Sequence, residues 1–415
     1  MRLRTALAGA LVALPFALPA HATPAQADTW NFRQIRIGRS QAAGRDGAGI
    51  TVAVVDTWID RAHPDFGGRV LPGADCVGGT CKPGAVPADG CDAHGTHVAG
   101  TIASRTYGVA PAATILPLRI LKWDGAQCQG MSGDVAAAID YAVAHGAQVV
   151  NVSVGASVPL AGKDPSLDNA VADAATAGVL VVFAAGNQDV PVTDSFGGNA
   201  LIVAATAKDG GLASYSQYGA GVDLAAPGGD APGDTCTLSG CVISTWSDGK
   251  SHQFAALAGT SMAAPHVAGI AALLYAQRHR TRDDVIARLR STAHPLAQAG
   301  SGLVDAAAAL GASAAPRVTT TPATAPAPRV VRVTPRRSRP RARPSSTAPA
   351  PPPAIRKPAA PRPSPTPSGT ITISTVEPPL AAPLPLRRSR TVPATAAALL
   401  LAAVATGVAV TGRRT

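Results

Sequence analysis

The chain has 415 residues, with 36 Lys+Arg against 25 Asp+Glu and a formal charge of +11 at pH 7. From Ala312 onward there are 16 basic residues and one acid, Glu377, so the rest holds 20 basic and 24 acidic residues, a balance of −4. That split excludes a basic globule built to hold nucleic acid. Because Glu377 is the only Glu, it also excludes a zinc peptidase with a Glu base.

Residues 1–27 have the make-up of a secretory signal. Arg2 and Arg4 precede an apolar run, 6–20, too short to cross a bilayer, and small-x-small sites follow at 20–22 and 25–27. Cleavage is expected after Ala27, with Ala22 the alternative. Export makes disulfides the expected fate of the six cysteines, although six allow 15 pairings. Cys76 with Cys81 and Cys236 with Cys241 could each close a small loop, which would leave Cys91 for Cys128; other pairings stay open on spacing alone. No CxxC pair is present, so neither a thiolate zinc site nor a thioredoxin-type site is expected.

Residues 28–311 carry the pattern of one α/β domain. Short β-branched, almost wholly apolar runs at 50–55, 115–120, 149–154, 179–183 and 201–205 predict buried parallel strands. Between them lie helical stretches: 133–145, which Ser132 can cap and Gly146 can stop; 165–177, opened by Pro165 and stopped at Gly178; and about 261–277. Strands alternating with helices predict a three-layer fold with a mostly parallel central sheet and helices on both faces.

The composition then changes. Residues 312–391, rich in Pro, Ala and Arg, cannot bury enough apolar area to order themselves and are expected to form an extended linker. Residues 392–411 carry no charge and would reach about 30 Å as a helix, one hydrocarbon thickness. A transmembrane helix is expected there, followed by a short cytoplasmic tail at 412–415. No LPxTG-like sorting motif precedes it.

Four motifs carry chemistry. Asp56 ends the run Val52-Ala-Val-Val-Asp56-Thr57. His94 opens His94-Gly-Thr-His97-Val-Ala-Gly100. Asn187 closes Ala184-Ala-Gly186-Asn187, and Ser261 stands in Gly259-Thr-Ser261-Met-Ala-Ala-Pro265-His266. A serine hydroxyl needs a base to become a nucleophile, an imidazole is that base near neutral pH, and a carboxylate fixes its tautomer. The oxyanion formed on attack needs donors, which a helix-opening Ser261 N–H and the Asn187 amide can supply. His97 and His266 are expected to be structural. Asn151-Val152-Ser153 matches a glycosylation sequon, but it falls on an expected buried strand.

These motifs, in the order Asp, His, Ser, resemble those of subtilisin-type serine peptidases over about 30–311. The resemblance implies that Asp56 orients, His94 is general base and acid, Ser261 is the nucleophile, and Asn187 joins Ser261 in the oxyanion hole. It further implies that Gly130, Met131 and Ser132, with Ser153, Val154 and Gly155, flank an extended protein or peptide substrate as added strands. The implied topology brings Cys91 near Cys128. Trp58 stands where the family usually has Gly, and a bulky side chain there could narrow the cleft or change local backbone freedom. The 22 residues between Ala27 and Ile50 leave no room for a folded propeptide, so folding without one is expected. No cofactor or metal is assigned; Asp75, Asp89 and Asp92 are the carboxylates that could serve calcium.

Signal, peptidase domain, Pro-rich stalk and span together resemble mycosins, membrane-anchored subtilisin-like peptidases of type VII secretion. This implies a catalytic domain outside the cell membrane and secretion-membrane components as partners. An alternative role is a secretion-complex scaffold in which proteolysis is secondary.

Overall fold

The computed structural model describes residues 29–37, 46–154, 164–193, 195–231, 236–277 and 280–311, and the backbone of 370–372. The expected signal segment 1–27, the span 392–411, the tail 412–415 and most of 312–391 lie outside the described residues. In chain order the elements are α1 (Trp30–Ile35), β1 (Thr51–Asp56), β2 (Ala74–Asp75), β3 (Lys82–Pro83), α2 (His94–Ala103), β4 (Thr114–Arg119), β5 (Lys122–Trp123), β6 (Cys128–Met131), α3 (Ser132–Ala144), β7 (Val149–Val152), α4 (Pro165–Thr176), β8 (Leu180–Ala184), β9 (Ala200–Thr206), β10 (Leu224–Pro227), β11 (Val242–Ser247), β12 (His252–Leu257), α5 (Thr260–Tyr275), α6 (Arg282–Thr292), α7 (Ala306–Ala309) and β13 (Thr370–Thr372).

The apolar runs pair into one eight-stranded sheet, ordered β10-β9-β8-β7-β1-β4-β2-β3. All neighbours are parallel except β2 and β3. Helix α2 packs with α5, and α3 with α4, giving a helix layer for each side of the sheet. β1 runs one residue further than its apolar stretch, because Asp56 still pairs with Arg119 of β4. That extra residue sets a carboxylate at the sheet's carboxyl edge. Helix α5 is buried from Thr260 to Leu274, so its many Ala and Gly residues serve close packing rather than solubility.

Three disulfides, Cys76–Cys81, Cys91–Cys128 and Cys236–Cys241, use all six cysteines. Cys91–Cys128 spans 37 residues, for which loop entropy gives about 4 kcal/mol of stabilisation. The expected cap of α3 is corrected: the helix begins at Ser132 itself. The Asp134 carboxylate takes the Met131 N–H at 3.0 Å, while Ser132 Oγ donates to Asp164, the residue capping α4.

Two buried histidines tie the second layer together. His97 Nε2 lies 3.1 Å from Val242 O and 3.2 Å from Ala255 O, on β11 and β12. His266 Nδ1 donates to Met262 O at 2.7 Å, and its Nε2 accepts from Asn31 Nδ2 at 2.8 Å. Burial is the main cause that lowers His97 to about 3 and His266 to about 4. Unfolding returns both to the ordinary value near 6.5, so the unfolded chain binds more protons below that pH. Their contribution is intact above 6.5 and is lost as pH falls toward the folded values. Urea unfolding should show about 3 kcal/mol less stability at pH 5.5 than at pH 7.5 from these two groups, and His266→Gln should flatten the slope.

Candidate active site

The carboxyl ends of β1, β7 and β8, adjacent in the sheet, lie where open α/β sheets form their clefts. Asp56 ends β1, Ser153 directly follows β7, and Asn187 lies three residues past β8. Each site residue therefore sits where a straight strand gives way to a turn.

Asp56 is fully buried. Its Oδ1 accepts from Thr57 N at 2.7 Å and from His94 Nδ1 at 2.7 Å. A carboxylate only accepts, so the imidazole proton sits on Nδ1 and Nε2 is left as the basic nitrogen. Thr57 secures this contact from the side. Its Oγ1 accepts from Gly95 N at 2.9 Å and donates to Asp92 O at 3.1 Å, joining the strand end to the start of α2. The approach is close enough to require Gly95, since a Cβ there would lie 2.9 Å from Thr57 O and 3.0 Å from Trp58 O.

Trp58 packs into the core. It is 5% exposed, and its Nε1 donates to Cys91 O at 2.7 Å. The indole and the Cys91–Cys128 bond thus both anchor the loop that delivers His94.

Ser261 is the second residue of α5, and the reason a proline follows it becomes clear at this point. Pro265 lacks the N–H that would bond to Ser261 O four residues back. Ser153 Oγ takes that acceptor instead, at 3.0 Å. In return Ser261 Oγ donates to Ser153 O at 2.9 Å, and Asn151 Nδ2 donates to Ser153 Oγ at 2.7 Å. The serine is therefore held to the end of β7 through both its carbonyl and its hydroxyl. Ser153→Ala should cost about 1–3 kcal/mol in denaturant unfolding, because a buried carbonyl loses its donor.

Asn187 is exposed, yet its amide is oriented. Its Oδ1 accepts from Thr260 N at 2.9 Å and from Thr260 Oγ1 at 2.8 Å. A backbone N–H can only donate, so the atom it meets is the oxygen, and the Nδ2 donor is turned outward. Gly186, at φ +113°, supplies the turn conformation that other residues rarely adopt. A Cβ on Gly259 would lie 3.5 Å from Asn187 Nδ2 and 3.7 Å from Ser261 N, so both donors border one small space at the helix start. Asn187→Ala should lower kcat about 10²–10³-fold, the scale of the like donor in subtilisin. Thr260→Val, which removes one of the two bonds orienting the amide, should cost about tenfold.

The sequence motifs contain Thr57 and Thr260, but only the geometry shows their use. Their signal is a hydroxyl beside each motif's reactive residue. Of the expected substrate edges, Gly130 and Met131 lie on β6, Ser132 opens α3, and Ser153 and Val154 follow β7; Gly155 lies outside the described residues. Asp75 and Asp89 grip Arg119, at 2.6 and 2.9 Å, and Asp92 Oδ1 accepts the His94 N–H at 3.0 Å. Burial alone would raise Asp75; Arg119 and the Val77 N–H outweigh it and hold the carboxyl below its ordinary range. Among the described residues no group of three or more His, Cys, Asp or Glu is placed to hold a metal, and no helix is long and apolar enough to cross a membrane.

A mostly parallel α/β sheet with an oriented imidazole, a helix-opening serine and paired donors defines a serine peptidase of the subtilisin kind. Comparison with known proteins agrees. Residues 47–314 match the subtilase family, peptidase S8. Subtilisin BL of Lederbergia lenta is 36% identical over 297 residues, 69% of this chain and 99% of that protein. Thermitase of Thermoactinomyces vulgaris is 36% identical over 264 residues, 62% of this chain and 85% of that protein. A solved protease from Pseudoalteromonas arctica superposes with a TM-score of 0.60 at 31% identity, covering 70% of this chain and 98% of that one. The chain belongs to the subtilase family, and it is a subtilisin-type serine endopeptidase acting on protein or peptide substrates.

Proposed function

We propose that this peptidase cleaves peptide bonds outside the cytoplasmic membrane, tethered to it by residues 392–411, in the service of type VII protein secretion. The observation that carries the chemical part is the 2.7 Å contact between His94 Nδ1 and Asp56 Oδ1. In this reading His94 Nε2 takes the Ser261 proton. The hydroxyl hydrogen rotates freely, so the oxygen that donates to Ser153 O at rest can offer its proton to His94 when a substrate carbonyl arrives. Ser261 Oγ attacks, and the oxyanion is held by Ser261 N and Asn187 Nδ2. His94 returns the proton to the leaving amine. Water, activated by the same imidazole, then releases the acyl group.

Support for the tether and the secretion link comes from the order of segments in the sequence: apolar leader, peptidase domain, Pro-rich stalk, uncharged 20-residue run and closing Arg413-Arg414. A fluorophosphonate probe on membranes of producing cells should label the native chain and not Ser261→Ala. Label found only in soluble fractions would overturn the tether. Normal secretion restored by Ser261→Ala would make the domain a scaffold with proteolysis secondary.

A further inference from the structure

Among the described residues, the segment expected to form an extended linker contributes the strand β13, and it is paired with an expected substrate edge. β13 lies antiparallel to β6, with Thr370 opposite Met131, Ile371 opposite Gly130 and Thr372 opposite Gln129. The small sheet is ordered β13-β6-β5, so β13 takes the side of β6 that β5 leaves open. Gly130 and Met131 are the residues expected to pair with an extended substrate. We propose that the chain's own strand β13, Thr370–Thr372, is a tethered occupant of this edge, which a substrate strand must displace.

Two further features point the same way. The first is direction. From Thr370 to Thr372 the antiparallel pairing runs from Met131 toward the Cys128 end of β6. Cys128 is bonded to Cys91, three residues before His94, so β13 runs along the edge toward the end that is linked to the His94 loop. The second lies in the sequence. Between Pro316 and Pro393 the longest stretch without proline is Ser368 to Glu377, ten residues. It lies between Pro367 and Pro378 and reads Gly-Thr-Ile-Thr-Ile-Ser-Thr-Val at 369–376. Proline cannot donate to a ladder, and β-branched residues favour extended pairing. This part of the tail is thus the one composed to add a strand, by the mode of recognition that peptidase substrates use.

The tether makes weak pairing effective. The 58 residues from Ala312 to Gly369 join the strand covalently to the domain it pairs with. Binding is then intramolecular and needs no second molecule. The tail acts as a threshold: short or poorly pairing peptides fail to displace it, and long extended ones succeed.

The inference rests on the peptidase assignment, and its test keeps the two apart. In an antiparallel pair alternate residues exchange the ladder bonds, so Ile371→Pro/Thr372→Pro removes a donor whichever phase holds. The full-length double variant should show KM for an extended peptide substrate lowered about 3–10-fold with kcat unchanged. A synthetic peptide of residues 367–378 should inhibit that variant competitively, and the same peptide with the two prolines should not. Unchanged KM, with no competition by the native peptide, would overturn the proposal. Inhibition of the native chain that grows with its own concentration would assign the strand to a second copy and overturn the intramolecular form. Fluorophosphonate labelling of Ser261 in both proteins shows that the peptidase itself is intact.

Discussion

Replacing Ser261 by Ala is expected to lower kcat by about 10⁶, the scale set by the nucleophile of subtilisin, while the fold survives. The hydroxyl is one of two links between Ser261 and Ser153, and the Ser153 Oγ to Ser261 O bond at 3.0 Å remains in the variant. Stability should therefore fall by about 1 kcal/mol. Active-site labelling and single-turnover hydrolysis of an ester substrate measure the first effect, and urea unfolding measures the second. A variant that kept near-native turnover would remove Ser261 from the reaction.

Asp56→Asn is expected to reduce kcat by about 10⁴ near neutral pH. The variant keeps an oxygen for the Thr57 N–H, bonded at 2.7 Å in the native chain, so the strand end should hold. What disappears is the negative charge beside the imidazole. His94 must become a cation while it holds the serine's proton, and in a water-poor setting an amide offsets that charge far less than a carboxylate. KM should change little, because Asp56 is fully buried and cannot meet the substrate. Combined with Ser261→Ala it should add almost nothing, since groups acting as one unit lose their function together. Additive losses would mean that Asp56 acts apart from the serine.

The chemistry of this site is legible in the sequence because its residues sit at forced positions. A strand that must stay apolar ends on Asp56, and a small-residue helix opens on Ser261; both stand out against their surroundings. Five of the buried strands are visible for the same reason, to within a residue or two, though β10, also buried, is not among them. The β11–β12 hairpin is not visible either. Its Ser244 and Thr245 interrupt the apolar pattern, yet both are buried. Ser244 Oγ donates to His97 O at 2.8 Å, and Thr245 Oγ1 donates to Thr96 O at 2.8 Å. Polar residues paid for by a partner 147 positions away leave no local pattern. Trp58 is open in the sequence for a related reason: the residue alone says neither where its indole goes nor what it does to the backbone, and its hydrogen bond to Cys91 O shows the first.

The first turn of α5 has a consequence for how the enzyme would fail. The Ser261 hydroxyl, its main-chain N–H and the threonine aligning the carboxamide are neighbours on one stiff rod, so a small drift of that rod carries them along as a unit. The imidazole rides on a different rod. Warming or mild denaturant should thus uncouple proton transfer before it degrades oxyanion binding. A partly loosened enzyme would then lose turnover while the Ser261 N–H and the Asn187 amide, tied together through Thr260, stayed in register.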